Sequence, residues 1–226
     1  MRKVSPAPDE YYHLFNRGAF KHDLFENQAD YIRFLFYILY SQSPVAFVNT
    51  SRIVHTFNQE QGFAVSEEET ADILKNRFVE LVAFCIMPNH FHLLVKEIEE
   101  GGIANYMQRI GIGYTKYFNT KREINGRIFQ GVYGAVHIND DTQLLYTSAY
   151  IHRNPRELRA WKGREFEYPW SSLQDFTEAN RWGGLLMSDI IAGQFDASSN
   201  SNYKDFIKTS TAKMVAAEVE LVMSDI

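Results

Sequence analysis

The chain has 226 residues, of which 45% are hydrophobic and 23% charged, so we expect a packed domain rather than a disordered chain. Its single cysteine, Cys85, excludes an internal disulfide and suits a reducing compartment. The net charge of −5 disfavours a protein that coats nucleic acid non-specifically, but it allows a local basic groove. Since neither a secretory signal nor a membrane-spanning apolar run is found, we expect a cytoplasmic protein.

The first part of the chain predicts one strand and two helices. Residues 11–18 are typical of a strand that ends at a glycine turn, and residues 27–42 have apolar side chains at helical spacing. Residues 43–65 are expected to be irregular. Residues 66–76 begin with a Ser-x-x-Glu capping pattern and predict a second helix.

A hairpin and a long helix follow. Residues 78–88 and 90–99 are two apolar strands separated by a Pro-Asn turn. Residues 103–122 predict a helix, which Gly111 and Gly113 should weaken.

The last strand and the helix after it complete the predicted domain. Residues 131–138 form the strand, and residues 140–154 form a helix with acidic residues at its start and Pro155 at its end. The order β-α-(α)-β-β-α-β-α predicts an α+β fold, with a ferredoxin-like antiparallel sheet and helices on one face.

We expect the domain to occupy residues 1–175. Residues 176–226 are richer in Gly, Ser, Asn and Asp, and they predict a C-terminal helical extension of unknown role. Within it, residues 196–202 are typical of a linker, followed by a polar helix.

Two histidines flank one phenylalanine in the segment "MPNHFHLLVK". Because side chains alternate along a strand, His90 and His92 should share one face, while Phe91 should face the core on the other. Neutral imidazole is a common metal ligand, so the pair could converge on one ion. The alternative is that both side chains lie on a solvated sheet face.

The helix "LLYTSAYIHRNP" has Tyr146, Tyr150 and Asn154 four residues apart, on one stripe. Such a stripe usually serves packing. The functional alternative is that Tyr150 supplies a hydroxyl, while Asn154 offers an amide oxygen to the same site. His152 lies off the stripe, where a surface or packing role is expected.

In combination these motifs resemble the single-tyrosine HUH transposases, and most of all the REP-associated tyrosine transposases. "YHLFNRG", "MPNHFHLLV", "GRIFQGVYGA", "YIHRNP" and "YPWSS" carry the resemblance, which covers roughly residues 9–175. It implies a ferredoxin-like α+β domain that cuts and rejoins single-stranded DNA beside small hairpins, in the bacterial cytoplasm at the nucleoid. It also implies that His90, His92 and Asn154 bind the metal and that Tyr150 is the nucleophile.

The implied chemistry is metal-dependent. Two imidazoles and one amide oxygen leave coordination positions open, and mixed nitrogen and oxygen ligation is compatible with Mg²⁺ or Mn²⁺. Tyr150 would attack a phosphodiester to form a 5′-phosphotyrosine link and release a 3′-OH.

A basic segment follows the hairpin. Its cations are Arg109, Lys116, Lys121, Arg122 and Arg127, against one acid, Glu123, and Arg17 and Lys21 follow the first strand. Tyr106, Tyr114, Tyr117 and Phe118 are interleaved with them. Cations that follow a DNA backbone and rings that stack on bases suit single strands, although Tyr114 and Phe118 are more typical of core positions.

The chain departs from its relatives in two places. Members of the family often carry basic residues at the positions of Val132 and Gly134, and residues 43–77 are longer here than in compact members. Two other functions stay open, namely a domesticated protein that binds DNA hairpins without cutting and a zinc hydrolase of small substrates. The sequence also leaves open whether the protein acts as a monomer or as a homodimer.

Overall fold

A computed structural model of the chain describes residues 5–195 and 202–210. The strands are β1 (Tyr11–Arg17), β2 (Val79–Met87), β3 (His90–Glu97) and β4 (Gly134–Ile138). The α-helices are α1 (Gln28–Tyr40), α2 (Thr50–His55), α3 (Glu67–Lys75), α4 (Gly102–Arg122), α5 (Asp141–Arg153), α6 (Leu173–Thr177), α7 (Asp189–Ala192) and α8 (Tyr203–Thr209). Short 3₁₀ turns lie at Ala19–Lys21, Asn154–Glu157, Glu165–Glu167 and Gly183–Leu185.

The four strands form one antiparallel sheet in the order β2-β3-β1-β4. This order confirms the predicted α+β fold with a ferredoxin-like sheet. The β2–β3 hairpin closes where Met87 pairs with His90. On the other side of β3, Phe15 of β1 pairs with His92, so the end of β1 lies beside both histidines.

The first face of the sheet packs on α1 and α4. Every second residue of β3 points this way, and Phe91, Leu93 and Val95 are all buried there. The ring of Phe91 lies 4.9 Å from that of Phe34 in α1, between ring centroids. Phe91 therefore faces the core, as its place between the two histidines predicts.

The second face is also covered, by α5 and the helices after it. Ala83, Cys85 and Leu94 are buried on this face and pack with Leu144 and Ile151 of α5. The sequence predicts helices on one face of the sheet, whereas the structure has helices on both faces. The second face is covered because the side chains of the central strands are apolar there too. One consequence is that the histidines of β3 face α5.

The segment 43–65 is not wholly irregular, since it contains α2. Asn49 precedes this helix in a left-handed conformation (φ 61°), and its side chain makes no capping hydrogen bond. Asn is a favoured capping residue, but a capping side chain normally comes from an extended backbone, so α2 begins without the usual cap. By contrast, α3 begins with the predicted capping box between Ser66 and Glu69.

The described part of residues 176–226 packs on both layers. Trp182, Leu185 and Leu186 join the first core, whereas Tyr203 and Ile207 join the second.

The proposed domain boundary at residue 175 remains a prediction. Of the predicted linker at 196–202, only Asn202 is described, and the predicted helix beyond residue 210 lies outside the described residues. No helix in the described ranges is long and apolar enough to cross a membrane.

Candidate active site

The two histidines of β3 lie side by side on the second face of the sheet. Their ring centroids are 5.1 Å apart, and His92 is 2% exposed. The ring of Tyr150 lies edge-on to that of His92, with 5.4 Å between the centroids. The strand period thus directs both imidazoles toward α5, and α5 brings its tyrosine to meet them.

Asn154 follows α5 directly and reaches the same place. Its Oδ1 lies 3.4 Å from His90 Nε2, while its Nδ2 donates to the backbone carbonyls of Tyr150 (2.9 Å) and Ile151 (3.4 Å). Because the amide nitrogen is committed to those carbonyls, the amide oxygen is the atom that faces the histidine. The four predicted site residues, His90, His92, Tyr150 and Asn154, therefore meet within one chain.

Hydrogen bonds fix which nitrogen of His90 carries the proton. The Nδ2 of Asn89 donates to the carbonyl of Lys21, which leaves Asn89 Oδ1 to accept from His90 Nδ1 at 2.7 Å. In the neutral ring, Nε2 then carries a lone pair. That lone pair points at Asn154 Oδ1, which is also an acceptor.

His92 has a buried partner that the motifs did not indicate. Its Nδ1 lies 2.9 Å from Nε2 of His13 in β1, and the two rings are stacked at 5.1 Å. His13 is 1% exposed, and its other nitrogen makes no hydrogen bond within the described ranges. The only sequence signal for His13 was its place inside "YHLFNRG".

Burial keeps the three imidazoles neutral. It lowers the pKa of His13 to about 3, lowers the pKa of His92 well below its ordinary value, and lowers that of His90. A neutral imidazole has a lone pair to offer a metal ion, whereas a protonated one has none.

The donor set fits a divalent cation. At His90 and Asn154 two acceptors face each other, an arrangement that is unfavourable without a cation between or beside them. Across the described residues, no group of three or more His, Cys, Asp and Glu side chains is arranged so that it could hold a metal ion. The predicted ligand set, two imidazoles and one amide oxygen, therefore remains a prediction.

The phenol of Tyr150 is protonated near neutral pH. Burial, followed by the negative charge of Glu157, raises its pKa to about 12. A phenol with this pKa is a poor nucleophile, so it needs electrophilic help at the bond that it attacks.

These residues line one open cavity of about 450 Å³. Its walls include His90, His92, Tyr150, Asn154 and Glu157, with Asn16, Arg17, Lys21, Gln130 and Val132 on the side of β1. The cavity thus joins the histidine–tyrosine cluster to a basic side, a combination that suits a phosphodiester.

The predicted DNA-binding cations divide into two groups. Arg17 lines the cavity, Arg127 lies in the adjoining cleft, and Lys116 lines the surface beyond Arg127. The other three line none of these surfaces and bind protein groups: Arg109 the Val45 carbonyl, Lys121 Asp30, and Arg122 Glu26. Arg17 also has a partner, because its Nε donates to Oε1 of Gln130 in the cavity wall. The interleaved rings Tyr106, Tyr114 and Phe118 are buried, which confirms the core role expected of the last two.

Val132 and Gly134 stand where family members often carry basic residues, and the two positions differ in the space that they leave for a larger side chain. Val132 is 77% exposed at the mouth of the cavity, so any side chain fits there. At Gly134 a Cβ atom would lie 2.3 Å from the ring of Phe15. A basic residue at Gly134 would therefore require Phe15 to move.

Comparison with known proteins agrees with the motifs. Residues 55–154 match the family model of the IS200-like transposases, and this segment includes His90, His92, Tyr150 and Asn154. It begins after β1, so His13 and Arg17 lie outside the matched range. No curated relative matches the chain.

Two solved structures are similar to this chain. One is a REP-associated tyrosine transposase bound to a REP hairpin, with 13% identity, a TM-score of 0.50 and coverage of 94% of each chain. The other is a candidate transposase from Deinococcus radiodurans R1, with 16% identity, a TM-score of 0.34 and coverage of 65% of this chain and 93% of that one. The family match and the fold of the first structure together confirm the transposase resemblance.

Proposed function

We propose that the protein cleaves and rejoins single-stranded DNA beside hairpins through a covalent link to Tyr150. The observation that carries the proposal is the meeting of His90, His92, Tyr150 and Asn154 in one cavity with a basic side. A protein that only bound DNA would need neither the paired imidazoles nor the adjacent phenol.

In the proposed step, the phenol oxygen of Tyr150 attacks a backbone phosphorus. The bond from Tyr150 to phosphorus forms as the bond from phosphorus to the 3′ oxygen breaks. The phenol loses its proton and the leaving 3′ oxygen gains one, so a 5′-phosphotyrosine and a free 3′-OH result. A later attack by another 3′-OH reverses the exchange, and no nucleotide cofactor is consumed.

His90, His92 and Asn154 would hold a divalent cation, for which we propose Mg²⁺ or Mn²⁺. Such an ion withdraws charge from a phosphate oxygen and so assists attack by a weak nucleophile. The protein's own contribution is positional. Asn89 orients His90, His13 orients His92, and the backbone carbonyl of Tyr150 orients the Asn154 amide.

Single-stranded DNA with a hairpin is the proposed substrate. The similar solved structure is described as bound to a REP hairpin, and this chain has its own cations, Arg17, Lys21 and Arg127, beside the cavity. We place such a protein at the bacterial nucleoid. One chain supplies all four site residues, so a partner subunit is not required to complete the site.

The decisive experiment uses a 3′-labelled hairpin oligonucleotide from the flanks of the protein's own gene, with Mg²⁺ or Mn²⁺. We expect labelled protein on a denaturing gel, because the 5′-phosphotyrosine retains the downstream fragment. Tyr150→Phe should abolish the adduct and leave hairpin binding nearly intact.

Tyr146→Phe is the matched control. Tyr146 lies one turn earlier on α5, but its ring packs on Phe206 at 5.4 Å between centroids. We expect this variant to form the adduct at the parent rate. Adduct formation by Tyr150→Phe, or its loss in Tyr146→Phe, would overturn the assignment of the nucleophile.

A further inference from the structure

Phe20 is the most exposed large hydrophobic residue in the described part of the chain, with 88% of its surface accessible. It lies in the 3₁₀ turn that follows β1, beside the mouth of the cavity. A single exposed hydrophobic residue is common at a protein surface, so exposure alone assigns Phe20 no function, and the backbone and the charges around it are the relevant observations.

The turn that carries Phe20 is firmly held. Gly18 N–H donates to the Asn89 carbonyl at 2.8 Å, and Ala19 N–H donates to the Ile128 carbonyl at 2.8 Å. A Cβ atom at Gly18 would lie 2.1 Å from the His22 carbonyl oxygen, so only glycine fits there. The ring of Phe20 is thus presented to solvent by a fixed backbone.

The backbone at the tip is strained. Phe20 and Lys21 both have left-handed φ values, 55° and 61°. Non-glycine residues in this region are uncommon and cluster at ligand-binding sites. Among the described residues, the one aromatic neighbour of Phe20 is His22, at 6.5 Å between centroids, so packing does not account for the placement.

Positive charge surrounds the ring. Phe20, Arg17, Lys21 and Arg127 line one cleft, which shares Arg17, Lys21 and Gln130 with the active-site cavity. None of these three cations forms an ion pair with a residue in the described ranges. Arg17 does donate to the Gln130 side chain, but that partner is neutral and leaves its charge uncompensated. An exposed aromatic ring among such cations is complementary to a base and its flanking phosphates.

Within the proposed function, on which this step rests, we infer that Phe20 is a stacking site for one unpaired base. The base belongs to the single strand that runs from the hairpin to the cavity, and Arg17, Lys21 and Arg127 contact its phosphates. Stacking would fix the strand beside the cavity, so Phe20 sets which phosphate reaches Tyr150. A purine, with the larger π-face, would be favoured there.

The test places 2-aminopurine at each unpaired position of the hairpin oligonucleotide in turn, in the Tyr150→Phe background so that the DNA stays intact. We expect strong quenching at one position only. Phe20→Ala should remove that quenching and weaken binding on the order of tenfold, whereas Phe20→Trp should retain both. Val48→Ala, at another exposed apolar residue (82% accessible), should change neither.

The two proposals fail in different ways. If Phe20→Ala binds and quenches like its parent while wild-type protein forms the Tyr150 adduct, the stacking site is wrong and the cleavage proposal stands. If quenching depends on Phe20 but no adduct forms, the stacking site stands and cleavage fails. If Phe20→Ala instead dissociates an oligomer and leaves DNA binding unchanged, the ring serves self-association and the inference is overturned.

Discussion

His13 Nε2 and His92 Nδ1 lie 2.9 Å apart in the interior, and this hydrogen bond joins β1 to the paired histidines of β3. One ring must donate and the other accept, because both imidazoles are neutral. If His92 uses Nε2 toward a metal ion, its Nδ1–H donates to His13, and His13 carries its own proton on Nδ1. His13 therefore holds the tautomer and the orientation of His92.

We expect His13→Ala to weaken Mn²⁺ binding about ten- to a hundredfold, the usual effect of losing an outer-shell partner of a ligand histidine. Free Mn²⁺ measured by electron paramagnetic resonance reports this directly, without turnover. His13→Gln offers a replacement acceptor and should recover part of the affinity. Equal Mn²⁺ affinity in folded His13→Ala and wild-type protein would contradict the role of His13.

The structure separates cations that line the cavity and its adjoining cleft from cations that bind protein groups elsewhere, and salt dependence can test this division. Affinity for the hairpin oligonucleotide should fall steeply with salt. Arg17→Ala and Arg127→Ala should each reduce the slope of log affinity against log salt by about one. Arg109 donates to the Val45 carbonyl, so Arg109→Ala is the matched control and should leave the slope unchanged. A reduced slope in that variant would extend the DNA path to α4.

Stability should fall in mild acid. Burial lowers the pKa of His13 and of His152 to about 3, whereas the unfolded chain titrates near 6.5. Between these values the unfolded state binds more protons, so the free energy of unfolding falls as pH falls from about 6.5. We expect a loss of about 1.4 kcal/mol per pH unit for each buried histidine. Urea unfolding at several pH values between 7 and 5 measures it.

His152 offers an internal control for that titration. Its two ring nitrogens form hydrogen bonds with the hydroxyls of Tyr203 (2.7 Å) and Ser172 (2.8 Å), and the imidazole is buried. His152→Gln removes the titrating group and should make the pH dependence of stability shallower. A free energy of unfolding that stays flat from pH 7 to 5 in the wild type would contradict the prediction.

Two glycines of α4 should respond in opposite ways to alanine. Nothing lies within 4 Å of a Cβ placed at Gly111, so Gly111→Ala should stabilise the helix. The expected gain is about 0.5–1 kcal/mol. A Cβ at Gly113 would lie 2.7 Å from the Tyr37 ring, so Gly113→Ala should destabilise the protein. Urea midpoints of the two variants provide the comparison, and a gain at both sites would mean that Tyr37 moves freely.

Local periodicity determined much of the site. Alternation along a strand placed His90 and His92 on one face and Phe91 in the core. The helical period placed Tyr150 and Asn154 one turn apart, and the ordered motifs indicated the family. These are relations between residues close in the chain, where backbone geometry alone fixes direction.

The tertiary structure decided what depends on distant partners. The apolar second face of the sheet draws α5 over it, and this packing brings Tyr150 to His92. The pairing of β1 with β3 brings in His13. The fold puts Arg17 and Arg127 at the cavity and its adjoining cleft, whereas Arg109 donates to the Val45 carbonyl. Sequence periodicity gives the direction of a side chain, but the residue that it meets is set by long-range packing, where burial and hydrogen bonding compete across the whole chain.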